Sequence, residues 1–270
     1  MKSVFFKKGC AIAGGIISVV FTVVPENVFM LGFVACTWSD TVVVFANRLF
    51  LCAAILVLSC FGYFIYLKIR RKVTISDKAF IIKVEYKNLF IIKKGKHVIN
   101  FDECYSTHVG NRPEDVKPDS VCGQYLAKYP IDNMQSLIKA SGIQSSGVSL
   151  YNNTPKYESG TLIPRDNFLL MAFAKLDAQG LGRMTYVEYL ECLDKLWEQI
   201  DLYHGTGDVY LPILGSRITR FDKDLTQQEL LDIIIASYRL SPKKMKKPNV
   251  LHIVCRKQEG FSLNDIIGVD

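Results

Sequence analysis

Two short segments of this 270-residue chain carry side chains suited to gripping an anion. In "YLPILGSRITRF", Tyr210 to Phe221, an apolar run through Leu214 stops at Gly215-Ser216 and then delivers Arg217, Ile218, Thr219 and Arg220 before Phe221. In "HVINFDECYSTHVG", His97 to Gly110, an apolar run ends at Asn100-Phe101-Asp102 and continues as a polar loop through Val109 and Gly110. At the end of a buried strand, such loops turn backbone N–H groups and short polar side chains toward a phosphate. Arginines add charge-assisted hydrogen bonds to the same group. The residues suit an ordinary turn with solvated arginines equally well, and spacing alone leaves both readings open.

Other chemistry has little support in the sequence. No GxGxxG, Walker loop or GxSxG occurs. The eight cysteines form no CxxC pair, and their spacing fits neither a zinc site nor a small disulfide scaffold, so free thiols in a reducing cytosol are expected. His97, His108, His204 and His252 are too scattered for a metal motif, and no metal site is expected. "DAQGLGRMTYVE", Asp177 to Glu188, fits the EF-hand frame but puts Leu181 where calcium needs an oxygen ligand. It reads instead as a glycine-rich turn between two helices.

The elements that must position the two loops follow from the apolar patterns. Strands are expected at residues 79–86 ("AFIIKVEY"), 90–94 ("FIIKK"), 97–101, 209–214 and 250–256 ("VLHIVCR"). Helices are expected at 120–129, 166–176 ("DNFLLMAFAKL"), 185–203 and 226–240. Thr226 with Glu229 makes a capping box at the start of the last helix, and Ser241-Pro242 stops it. Alternating strands and helices imply an α/β layered sheet with ligand chemistry at the strand C-termini. Residues 143–165, rich in Ser, Asn, Gly and Pro, read as a long surface loop or a small insertion.

The charge is unevenly placed. Residues 1–72 hold eight Lys/Arg against Glu26 and Asp40, a net of +6. The rest carries 25 basic and 24 acidic residues, so the overall +7 marks no basic face on the later domain and argues against nucleic-acid binding. Within the basic segment lie two uncharged runs, Gly9–Val24 and Leu49–Leu67. Nineteen helical residues span about 28 Å, close to the hydrocarbon thickness of a bilayer. The first run is shorter and is expected to extend through Pro25 into "NVFMLGFVAC" as a kinked or tilted helix. A signal peptide would explain the first run alone, yet the second would still leave a membrane protein. Lys2, Lys7 and Lys8 precede the first span and "KIRRK" follows the second, which places both ends in the cytosol. The expected organisation is a transmembrane hairpin over residues 1–72 and a cytosolic domain over 73–270.

The segments "VINFDE", "SVCGQYL", "YLECLDKLWEQIDLY", "YLPILGSRITRF" and "LTQQELLDIII", in this order, resemble the type II ThsA family of Thoeris antiphage effectors. In that family two N-terminal transmembrane helices precede a macro-like domain. The resemblance spans the chain. It implies an α/β macro-like domain, a mixed sheet flanked by helices, preceded by an α-helical two-span transmembrane hairpin. It also implies that Gly215 to Arg220 surround a diphosphate with Phe221 closing the loop after Leu214, and that Asn100, in the loop Asn100–Gly110, lies near the distal ribose. The acid that usually reads adenine falls in "KNLF", where this chain has Asn88 beside Leu89. Arg217 stands where such loops usually carry glycine. These departures fit a modified ligand. By resemblance the protein is a homo-oligomeric receptor in the bacterial inner membrane, with no catalysis and no cofactor of its own. A TIR-domain partner, ThsB, makes an ADP-ribose-derived signal, histidine-ADP-ribose in type II systems. Binding then makes the helices disrupt the lipid bilayer, and the cell arrests or dies. The alternative is a membrane-anchored ADP-ribosyl hydrolase in which Asn100 and Asp102 position a water.

Overall fold

A computed structural model describes residues 2–31, 39–216 and 219–267. The chain separates into two compact units, one up to Arg70 and one from Arg71 onward.

The first unit is a pair of helices, α1 (Lys2–Val23) and α2 (Asp40–Ile69). They run antiparallel. A Cβ added at Gly9 would sit 2.9 Å from Cys60 Sγ, so the glycine lets the helices approach closely near one end. Near the other, the Arg48 guanidinium lies over the rings of Phe21 and Phe29, 5.7 and 5.1 Å from their centres. Arg48 also pairs with Glu26 at 3.2 Å, and Asn47 donates to the Phe29 carbonyl at 2.9 Å. The expected continuation of the first helix through Pro25 is not seen. α1 stops at Val23 and Glu26–Leu31 forms a separate 3-10 turn, because proline lacks the N–H that would continue the ladder. Residues 32–36 of that predicted continuation lie outside the described residues. Among the described residues, α2 is the one helix long and apolar enough to cross a membrane. Its 30 residues include an 18-residue window of mean hydropathy 2.3, none of it buried.

The second unit is built from β1 (Lys72–Ser76), β2 (Ile81–Tyr86), β3 (Lys96–Asp102), α3 (Val121–Lys128), α4 (Met134–Ser141), β4 (Gly147–Val148), β5 (Pro155–Lys156), β6 (Leu162–Arg165), β7 (Phe168–Leu176), β8 (Gly182–Met184), α5 (Tyr186–Tyr203), β9 (Val209–Pro212), β10 (Arg220–Phe221), α6 (Gln227–Leu240) and β11 (Leu251–Cys255). Strands β2, β11, β9, β3 and β7 lie side by side and all parallel. β1 pairs antiparallel on the β2 edge, while β6 and β8 pair antiparallel with different ends of β7. The result is a mixed sheet with helices on both faces. Val84, Val98, Phe173, Leu211 and Ile253 pack on one side with Tyr189, Trp197, Leu231 and Ile234 of α5 and α6. Ile99, Phe101, Leu170 and Ala172 pack on the other with Tyr125, Met134 and Ile138 of α3 and α4.

Three local expectations are corrected. "FLLMAFAKL", expected as a helix, is the strand β7, buried along nearly its whole length. Its apolar residues run without interruption because a parallel strand between two helical layers is covered on both faces. "FIIKK", expected as a strand, contains instead a 3-10 turn, Leu89–Ile91, capped by Asn88, whose Oδ1 accepts from Phe90 N at 2.9 Å. The glycine-rich turn at Asp177 joins two strands, β7 and β8, and not two helices. Asp177 Oδ1 accepts from Gln179 N and Leu181 N, and Oδ2 pairs with Arg183, so its carboxylate is consumed by the turn. The long loop 143–165 holds the small β4–β5 pair and ends in β6.

The helices expected at 185–203 and 226–240 form as α5 and α6, each with a reciprocal capping box. In α5, Thr185 Oγ1 accepts from Glu188 N, and Glu188 returns the bond to Thr185 N. Thr185→Ala is expected to cost about 1 kcal/mol. A thermal melt of the full chain in detergent checks this, and an unchanged midpoint would show that the box contributes nothing.

Candidate ligand cleft

Because β2, β11 and β9 are adjacent and parallel, Tyr86, Cys255 and Pro212 all end at one edge of the sheet, the edge where α/β proteins place ligands. A cleft opens there. Its walls are the segment after β2, with Lys87, Asn88 and Leu89, the start of α3, with Asp119 just before the helix and Gln124 in its first turn, the turn after β9, with Ser216, and the residues after β11, with Arg256 and Gln258. Gln227, at the start of α6, also borders it.

The turn after β9 is held from several directions. Ser216 Oγ donates to the Ile213 carbonyl at 3.0 Å, and the Tyr189 hydroxyl donates to the Leu214 carbonyl at 3.3 Å. Gly215 has φ +77°, and a Cβ there would meet the Phe221 ring at 2.6 Å. Phe221 packs edge-on against Tyr189, 5.3 Å between ring centres, so the glycine is the seat on which the ring closes the turn. Arg217 and Ile218 lie outside the described residues. Thr219 is partly buried, while Arg220 is exposed and pairs in β10 with Arg183 of β8.

The loop after β3 is organised by Asp102. Its Oδ1 accepts from Cys104 N at 2.9 Å and Ser106 N at 3.0 Å, which turns the chain sharply and lets Tyr105 adopt φ +55°. Desolvation raises the Asp102 carboxyl pKa above its ordinary range. Asn100 is partly buried on β3. Phe101 points to the opposite face, against Tyr105 and Tyr125, and acts as a core residue. Val109 pairs with Val116, whose carbonyl accepts from Gly110 N at 3.2 Å. The Asp115 carboxylate packs directly against Gly110, where it leaves no room for a side chain.

Of the residues singled out in the sequence, the cleft therefore brings together Asn88, Leu89 and Ser216. Asn100, Phe101 and Asp102 on β3, Val109 and Gly110 in the loop after it, Leu214, Gly215 and Thr219 after β9, and Arg220 and Phe221 in β10 are not among the residues that line it. Sequence reasoning missed Lys87, Asp119, Gln124 and Arg256. Gln124 links the last two elements: its Nε2 donates to the Asp119 carbonyl at 2.8 Å, and its Oε1 accepts from Arg256 Nη2 at 3.2 Å. The available signals were the serine cap before "VCGQYL" and the rule that strand C-termini carry ligand contacts. The rule becomes usable only when the strand order is known.

Among the described residues, the cleft lining holds two cations, several amides and one carboxylate, a set suited to an anionic ligand with a polar ring. Nucleophilic thiol chemistry is disfavoured. Burial pushes Cys255, on the cleft wall, up to about 12, and Cys104, in the loop after β3, up to about 11, so both are neutral thiols at pH 7. Among the described residues no three His, Cys, Asp or Glu side chains are grouped to hold a metal ion.

The sequence was compared with known proteins. The profile of the Macro domain of Thoeris protein ThsA matches residues 82–256, from β2 through the residue that follows β11. Thoeris protein ThsA of Bacillus amyloliquefaciens (strain Y2) is 26% identical over 212 residues, which cover 74% of this chain and 71% of that protein. The matched region contains the whole parallel sheet and every wall of the cleft up to Arg256. With the family profile covering well over half its length, the chain belongs to the ThsA macro-domain family of Thoeris proteins.

Proposed function

We propose that this protein is an antiphage effector: its macro domain binds an ADP-ribose-derived signal made by a TIR-domain partner, and the N-terminal helices then disrupt the inner membrane. The observation that carries this reading is the cleft at the C-terminal ends of β2, β11 and β9, on a chain that also bears α2. The cations Lys87 and Arg256 suit a diphosphate ligand. The sharp turn at Gly215 directs the loop after β9 toward the same edge of the sheet. The ligand drives the change only if it binds the active assembly of copies more tightly than the resting one.

For the helices, the reading is a two-span hairpin with both ends in the cytosol. Phe45, Leu49, Val57, Leu58 and Phe61 are exposed around α2, and water is a poor solvent for such a helix. Arg48 and Lys68 are separated by about 30 Å of helix, which matches the hydrocarbon core. On this placement Arg48 sits at the outer interface, where its Nη1 pairs with Glu26 and its guanidinium lies over two aromatic rings.

A receptor without turnover is favoured over a hydrolase. Asp102 Oδ1 accepts from two backbone amides and so serves the shape of the loop, which supports a structural part for this carboxylate. Intact ADP-ribose recovered by mass spectrometry after long incubation with the full chain is the expected outcome, and accumulation of cleaved product would establish the hydrolase.

Two further outcomes test the proposal. Calorimetry with the detergent-solubilised chain should show ADP-ribose binding that weakens in Asn100→Ala, Arg217→Ala and Gly215→Ala. In Gly215→Ala, backbone strain of about 1–3 kcal/mol and displacement of Phe221 should reduce affinity about tenfold or more. Affinity unchanged in all three variants would remove the two loops from the site. The chain should also stay with the membrane pellet through alkaline carbonate washing; release into the supernatant would argue against spanning helices.

A further inference from the structure

A second cavity, of about 290 Å³, lies between the end of β3, the insertion 143–165 and the first turns of α5. Among the described residues it shares no lining residue with the cleft. Its lining holds four carboxylates, Glu103, Glu158, Glu188 and Glu191, against the two ammonium groups of Lys156 and Lys175. Lys175 is taken up by Glu188 at 2.6 Å. Glu103 is 2% exposed, and its Oε1 accepts from Ser149 Oγ at 2.5 Å and from Leu176 N at 3.1 Å. Among the described residues its Oε2 has no hydrogen-bond partner and the carboxylate pairs with no cation. Burying a carboxylate without a counter-charge is costly, and a cation entering the cavity removes that cost. Ser159 Oγ donates to the Phe173 carbonyl at 2.7 Å, which leaves its lone pairs for a second donor.

We propose that this cavity binds a short aliphatic diamine, with one ammonium donating to Glu103 Oε2 and the other held at the rim by the exposed Glu191. The donor set selects among cations. A metal ion needs several anionic or imidazole ligands together, and the described residues group no three of them for one. A guanidinium uses both oxygens of a carboxylate for its fork, and Glu103 has one left. An ammonium is a compact charge with separate N–H donors, so Glu103 Oε2 and Ser159 Oγ can each take one. The buried Tyr157 and Cys192 give the alkyl chain a wall. Tyr157 N also donates to the Glu103 carbonyl at 2.8 Å, so a ligand on Glu103 braces the insertion against the end of β3.

Calorimetry on the full chain in uncharged detergent, with 1,4-diaminobutane as the probe, tests the assignment. The native chain should bind it, and should bind 1,4-diguanidinobutane about tenfold or more weakly. Glu103→Gln keeps the shape and the acceptor for Ser149 and Leu176 but turns an NH2 group toward the cavity. It should lose about ten- to a hundredfold in affinity, the value of a hydrogen bond to a charged acceptor. Glu191→Gln, at the exposed rim, should lose about two- to fivefold. Bound diamine should also slow amide exchange at Tyr157. A thermal melt reports the folding of each variant, and if Glu103→Gln does not fold, Glu191→Gln and the guanidino comparison carry the test. No binding by the native chain, equal affinity for the two compounds, or undiminished affinity in a folded Glu103→Gln or in Glu191→Gln overturns the proposal.

Discussion

The parallel alignment of β2, β11, β9, β3 and β7 is the constraint from which the rest of the macro domain follows. Parallel neighbours cannot be joined by tight turns, so each connection must cross a face of the sheet, and the crossing segments supply the helices that bury it. The same alignment sends every strand exit to one edge. Residues as far apart in sequence as Asn88 and Arg256 thereby become opposite walls of a single cleft, with no packing between their side chains needed to explain the meeting.

How much of this was legible in the sequence depended on whether the deciding interaction was local. α5 and α6 were readable because a capping box and a 3.6-residue apolar stripe lie within a few turns of one another. β7 was misread because its apolar run lacks any period, and only coverage by helices on both faces distinguishes such a strand from a buried helix. "FIIKK" was misread for the opposite reason. A single side chain, Asn88, captures a backbone N–H and overrides the β-propensity of the residues behind it. In the candidate site, the turn at Gly215 and Ser216 was visible as a break in an apolar run. Asp119, Gln124 and Arg256 were not, since their meeting depends on strand order, which no short segment encodes.

The two units rely on different physics. In the macro domain, buried aromatic and aliphatic side chains fill both faces of the sheet, and burial accounts for the cohesion. In the helical pair many large apolar side chains of α2, such as Phe45, Leu49, Leu58 and Phe61, are exposed. Among the described residues, the contacts between the helices and the 3-10 turn include a close glycine approach, the edge-on rings of Phe21 and Phe29, and the polar group of Asn47, Arg48 and Glu26. Close glycine approaches and polar contacts of this kind can hold helices together even where the surrounding medium is apolar.

The cap at Asn88 has a consequence for how such a protein can diverge. The cap uses the one side-chain oxygen that asparagine and aspartate hold in common, while the group left facing the cleft is a donor in one and an acceptor in the other. Exchange between the two amino acids therefore leaves the 3-10 turn in place while reversing the hydrogen-bond character of the cleft wall. At this position the chain can alter what it recognises with little penalty in folding, and a lineage can explore new signals without first acquiring stability to spare.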